Sequence, residues 1–135
     1  MTADSATWVL LRGLAREHRH WEDFPGCLQA SLPAVNILQP DLPGSGQRND
    51  ASCPTGMQGI VDLVRADVMA QNPAGPLYIL GVSLGAMVAL EWVCRYPRDC
   101  AGAVLMNISL AGVNPPHHRL RPQSYWRLLT TLVPG

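Results

Sequence analysis

Short, unbroken apolar runs alternate along this chain with longer stretches whose apolar residues recur every three or four positions. Trp8 to Leu11 (WVLL), Val35 to Leu38 (VNIL), Leu77 to Leu80 (LYIL) and Ala103 to Met106 (AVLM) are the short runs. Runs of this length suit parallel strands covered on both faces, since a strand with one wet face would alternate apolar and polar residues. Between them, Met57, Ile60, Val61, Val64 and Val68 lie at helical spacing. That spacing predicts an amphipathic helix over 55–70, with Thr55 as N-cap and Pro73 and Gly75 as its stop. Leu84 to Arg95 has the length and residue types of a mostly buried helix, ended by Tyr96 and Pro97. Phe24 to Leu32 reads as a short helix that Pro33 ends. The segments AREHRHWED (15–23) and QPDLPGSGQRND (39–50) lack either period and read as polar connections. Strands alternating with helices imply parallel pairing through right-handed crossovers, hence an α/β fold.

After Asn107 the pattern changes to a loop with two adjacent prolines, followed by Tyr125, Trp126, Leu128, Leu129 and Leu132 at helical spacing. No repeat, low-complexity tract or linker divides the chain, and 135 residues suffice for one modest core but not two. The composition, 47% hydrophobic and 15% charged, places that core in a globular protein. Ten basic residues balance ten acidic ones, so no net field favours nucleic acid or an anionic membrane. All ten bases are Arg. Without Lys there is neither a P-loop nor a Schiff-base mechanism. Cys27, Cys53, Cys94 and Cys100 form no CxxC pair and no zinc-like spacing with His, so free thiols in a reducing compartment are expected, and no metal or cofactor. The N-terminus has no secretory pattern and no stretch approaches a membrane span, so the expected location is the cytoplasm.

The sharpest chemical signal is GVSLG, residues 81–85, set between the strand LYIL and an apolar helix. A serine nucleophile works best when its hydroxyl projects from a sharp strand-to-helix turn, and glycines two residues to either side let strand and helix approach without a Cβ clash. Gly81 and Gly85 occupy those places around Ser83. The helix that follows aims its N-terminal amides at the reacting centre, which makes the Leu84 N–H a candidate oxyanion donor. A second donor is expected from the loop RGLARE (12–17) after WVLL, with the Leu14 N–H as the candidate. GSG at 44–46 does not make a dinucleotide fingerprint, because Asn49 stands where the third glycine is needed.

The sequence of WVLL, the RGL loop, HRHW, DLPGSG, GVSLGAMVALEW, RYP and AVLMNIS resembles the α/β-hydrolase family over nearly the whole chain. It departs from the family at Arg12, where a His usually precedes the glycine matched here by Gly13. The resemblance implies that Ser83 is the nucleophile, that its strand is central, that Asp41 holds loop structure without serving as the triad acid, and that a cap begins after Asn107. Residues 1–135 are accordingly read as one incomplete domain, with 1–106 as a core portion of about four parallel strands and 107–135 as the start of the cap.

Family enzymes place Ser, then an acid, then His along the chain, because the base must be oriented by a carboxylate and reach the hydroxyl. After Ser83 the carboxylates are Glu91 and Asp99 alone. A helix of this length carries Asp99 roughly 17 Å from the nucleophile. His117 and His118 are followed by no carboxylate, and His18 and His20 are expected to line the entrance or meet solvent. Neither a triad acid nor a base is identifiable, and a serine hydroxyl without a base is a weak nucleophile. The expectation is a serine hydrolase acting on an ester or thioester of a small molecule, represented by a truncated chain that is nearly inactive alone. A second expectation is an interaction module that keeps the scaffold without the triad. The sheet edge left open would favour self-association.

Overall fold

A computed structural model of the chain describes residues 5–12, 18–43 and 56–108. Four strands and three helices follow in the predicted alternation: β1 (Thr7–Leu11), α1 (Phe24–Ser31), β2 (Asn36–Leu38), α2 (Met57–Ala70), β3 (Leu77–Val82), α3 (Leu84–Arg95) and β4 (Cys100–Met106). The strands form one parallel sheet in the order β2-β1-β3-β4. β3 therefore lies inside the sheet, as expected for the strand that enters GVSLG.

Two bounds depart from the sequence reading for physical reasons. α2 starts at Met57, one residue later than the pattern suggested, with Gly56 in the cap position expected for Thr55. Gly56 is extended there and offers no side chain to the first amides. β4 starts at Cys100, three residues before its apolar run. Cys100, Ala101 and Gly102 carry little hydrophobic signal, yet the backbone already pairs: Leu77 opposes Cys100 and Tyr78 opposes Gly102, with a register shift that accommodates the extra Ala101. A 3-10 turn at His18–Trp21, inside a segment read as polar connection, buries Trp21 against the sheet.

The two sheet faces follow from the period of two in each strand. Val9 and Leu11 of β1 and Leu77 and Ile79 of β3 face α2 and α3, where Val61, Val64 and Val68 meet Val88, Ala89 and Trp92 in one buried cluster. The α2 residues recur at intervals of three and four, which puts them on one stripe of the helix. Leu10 and Leu80 face the other way and pack with Trp21, with Leu28 of α1, Ile37 and Val82 beside them. Trp8 and Tyr78 stack on that same face, their ring centroids 5.3 Å apart. Toward β4 this second layer ends: Val104 is 43% and Met106 47% exposed.

Candidate functional site

Ser83 sits where β3 passes into α3, with φ 57° and ψ −116°. This region is sparsely populated for any residue with a Cβ and costs of order 1–3 kcal/mol, so neighbouring structure must hold it. Three backbone hydrogen bonds do so. The Ser83 N–H donates to the Met106 carbonyl across to β4 (2.9 Å), and the Ser83 carbonyl accepts from the N–H groups of Ala86 (3.0 Å) and Met87 (3.2 Å). The residue itself is exposed at the C-terminal edge of the sheet.

The two glycines around it permit the turn. A Cβ on Gly81 would press into the Gly85 carbonyl and lie 2.7 Å from the Ala86 Cα. A Cβ on Gly85 would collide with the Leu11 carbonyl and lie 2.6 Å from the Arg12 carbonyl oxygen. Real Cβ atoms do not approach backbone so closely. Strand, helix and the end of β1 therefore converge at a spacing that only hydrogen side chains allow.

Around the turn the backbone is polarised toward a negative charge. α3 runs for twelve residues away from Ser83, and its leading N–H groups, Leu84 first, have no acceptor inside the helix. The neighbouring strand supplies the next element: Leu11 pairs with Gly81, and Arg12 follows at the same sheet edge. Gly13 and Leu14, the sequence candidates for the second donor loop, lie outside the described residues. The Arg12 guanidinium carbon stands 5.0 Å from the centroid of the Trp21 ring. Arg12 Nε and Trp21 Nε1 are both buried, with no hydrogen-bond partner among the described residues. No feature of the sequence pattern paired these two residues, which are brought together by the turn at 18–21.

The acids considered as triad members are placed elsewhere. Asp99 follows α3 at the end remote from Ser83, and accepts hydrogen bonds from Arg65 Nε (2.6 Å), Arg65 Nη2 (3.2 Å) and Trp92 Nε1 (2.9 Å). The Arg65 hydrogen bond, seconded by Trp92, holds the Asp99 carboxyl below its ordinary pKa despite partial burial. Beside it, the Tyr96 hydroxyl donates to Asp62 (2.8 Å), Arg95 pairs with the same carboxylate (3.1 Å), and the Arg65 guanidinium lies 4.2 Å over the Tyr96 ring. This is a fastening between α2 and α3, not a proton relay to the elbow. Glu91 lies on the third turn of α3, half-buried. Asp41 is buried just after β2, beside Leu42 of the core. His20 is exposed in the 3-10 turn, and His117 and His118 lie outside the described residues.

Among the described residues no group of three or more His, Cys, Asp or Glu is arranged to hold a metal ion. Cys27, Cys94 and Cys100 are free thiols, whereas Cys53 is outside the described residues. Burial pushes the Cys100 thiol up to about 11. No described helix is long and apolar enough to cross a membrane.

With this geometry in place, comparison with known proteins gives a consistent result. The model of the alpha/beta hydrolase fold family matches residues 9–129. The 2-succinyl-6-hydroxy-2,4-cyclohexadiene-1-carboxylate synthase of Enterobacter sp. (strain 638) is 28% identical over 97 residues, which are 72% of this chain and 35% of that protein. Among solved structures, Cfl2 from Burkholderia cenocepacia is 28% identical with a TM-score of 0.71, covering 95% of this chain and 42% of the other. An esterase from a marine microorganism superposes with a TM-score of 0.76 over 95% of this chain and 47% of its own, at 12% identity, a likeness of fold alone. The chain thus spans less than half the length of these relatives.

Proposed function

The chain belongs to the α/β-hydrolase fold family, and from that premise we propose that Ser83 is the nucleophile of a serine hydrolase cleaving an ester- or thioester-type acyl bond of a small molecule. The observation that carries the reading is the Ser83 turn: a non-glycine residue at φ 57°, exposed at the sheet edge, with a helix N-terminus immediately behind it. In this reading the Ser83 Oγ attacks the acyl carbonyl as its proton passes to a base. The carbonyl oxygen becomes an oxyanion held by the N–H of Leu84 and that of Leu14. Collapse of the tetrahedral intermediate expels the leaving group with a proton, and water then releases the acid from Ser83 by the same route in reverse.

The base and the acid that orients it are supplied by neither Asp99 nor Glu91. Asp99 is engaged by Arg65 and Trp92 at the far end of α3, and Glu91 lies along the helix away from the turn. Residues 1–135 alone are therefore assigned very low turnover, with full activity belonging to a protein that also presents a carboxylate-oriented histidine to Ser83. The free thiols fit a reducing compartment, and we place the protein in the cytoplasm. A second reading, a scaffold retained for interaction without catalysis, draws on the same commitment of Asp99.

A fluorophosphonate probe decides between them. The hydrolase reading expects covalent labelling at Ser83 in the full-length gene product and none in Ser83→Ala. A full-length protein that stays folded, fails to label and is indifferent to Ser83→Ala leaves the interaction reading standing.

A further inference from the structure

We propose that Asn107 is a positioning residue for the Ser83 turn: its left-handed backbone fixes the Met106 carbonyl that holds the Ser83 N–H. This role rests on the assignment of Ser83 as nucleophile and adds the device, on a neighbouring strand, that keeps the nucleophile in place.

The register sets the two residues side by side. Val82 of β3 pairs with Met106 of β4, so Ser83 and Asn107 are the next residues on adjacent strands, at the same C-terminal edge of the sheet. Both leave the extended conformation at that level, Ser83 with φ 57° and Asn107 with φ 53°. Two other described non-glycine residues have positive φ, Glu22 and Asn72, and each follows the end of a helical segment, where a left-handed residue is a common stop. Asn107 follows a strand instead. Its conformation therefore needs a different reason, and backbone outliers of this kind gather at functional sites.

Hydrogen bonding supplies that reason. Of the three backbone hydrogen bonds that hold Ser83, those donated to its carbonyl by Ala86 and Met87 belong to the first turn of α3. The third, from the Ser83 N–H to the Met106 carbonyl at 2.9 Å, ties the turn to β4. The Met106 carbonyl shares a rigid peptide plane with the Asn107 nitrogen, so φ at Asn107 sets how that plane lies relative to the chain that follows. An extended residue at 107 would carry β4 onward beside the nucleophile. A left-handed one turns the chain aside at the level of Ser83 and leaves the hydrogen bond in place. Asparagine is among the few residues with a Cβ that adopt this conformation readily.

A backbone role ranks substitutions by their tolerance of positive φ, whereas an amide that touches substrate would rank them by side-chain chemistry. Asn107→Gly keeps the conformation and removes the amide, Asn107→Val opposes the conformation, and Asn107→Ala lies between. Two readouts are taken in the full-length gene product: the maximal rate of fluorophosphonate labelling at Ser83, and hydrogen exchange of the Ser83 N–H followed by NMR, with the β1 amides as reference for the sheet. The left-handed penalty on an ordinary residue corresponds to about tenfold in a conformational equilibrium. Asn107→Val is therefore expected to slow labelling and to speed exchange of the Ser83 N–H, each by about tenfold, while the β1 amides stay unchanged. Asn107→Gly should stay near wild type on both readouts. Asn107→Ala, with a smaller change in the same direction as valine, serves if the valine variant fails to fold. A valine or alanine variant that matches wild type, a glycine variant as impaired as valine, or exchange that rises equally in β1 overturns the positioning role. If Ser83 labels in no variant while the exchange contrast holds, the nucleophile assignment falls and the hold of Asn107 on the turn stands.

Discussion

The layer between the sheet and the helices α2 and α3 differs from the surface presented by β4, although both are built from the same kinds of residue. In the first, Val9, Leu11, Val61, Val64, Val68, Ile79, Val88, Ala89 and Trp92 are fully buried in one cluster. In the second, Val104 and Met106 remain nearly half exposed on a strand without a charge or a proline. The difference teaches that apolar sequence is necessary for burial but does not supply the partner. β1 and β3 have a strand on each side and helices across one face, whereas β4 has β3 on one side alone among the described strands.

Truncating the buried layer should have the largest effect. Trp92→Ala removes the largest fully buried side chain and a hydrogen-bond donor to Asp99, and is expected to cost about 3–5 kcal/mol in denaturant unfolding. Val104→Ala should cost well under about 1 kcal/mol, since much of that side chain never leaves water. Equal losses at the two sites would erase the comparison. Gly85→Ala comes next: the added methyl meets two backbone carbonyls that cannot swing aside, so about 3 kcal/mol or outright failure to fold is expected, read in the same melt.

The fastening around Asp99 should contribute less. Asp99→Asn is expected to cost about 1–2 kcal/mol, because the ion pair with Arg65 is partly open to water. Its pH dependence has a definite sign. A carboxyl whose folded pKa lies below its unfolded value of about 3.9 stabilises the fold above that pH. The contribution is lost as pH falls through the depressed folded value, so the wild-type excess over Asp99→Asn should shrink below about pH 4. An excess that grows on acidification would refute the assignment of Arg65 and Trp92 as the cause.

The smallest change in stability, with a clear change in behaviour, is expected on the open strand. Val104→Lys should alter the unfolding free energy by no more than about 0.5 kcal/mol. A β4 edge that pairs with another copy would be blunted by that charge, and sedimentation velocity should show a shift toward the monomer. A wild-type chain that is already monomeric at high concentration removes the premise.

Much of the fold is legible along the chain because its signals are local. Strands β1 and β3 stand out as unbroken apolar runs, α2 as a stripe of valines, and the Ser83 turn as two glycines two residues to either side of a serine. The beginning of β4 is not legible, since Cys100, Ala101 and Gly102 join the sheet through backbone pairing with Leu77 and Tyr78. Helical distance excludes Asp99 from the turn, but its true partners lie 34 residues back on α2 and seven back on α3.

What the sequence determined by itself was the alternation of elements and the place where a strand had to turn sharply into a helix, because hydrophobic period and the lack of a Cβ act over a few residues. Tertiary structure decided which surfaces met. It set Gly85 against the end of β1, gave Asp99 to Arg65, laid Arg12 over Trp21, and left Val104 and Met106 open. Those outcomes depend on how separate elements meet, which a local period along the chain does not encode.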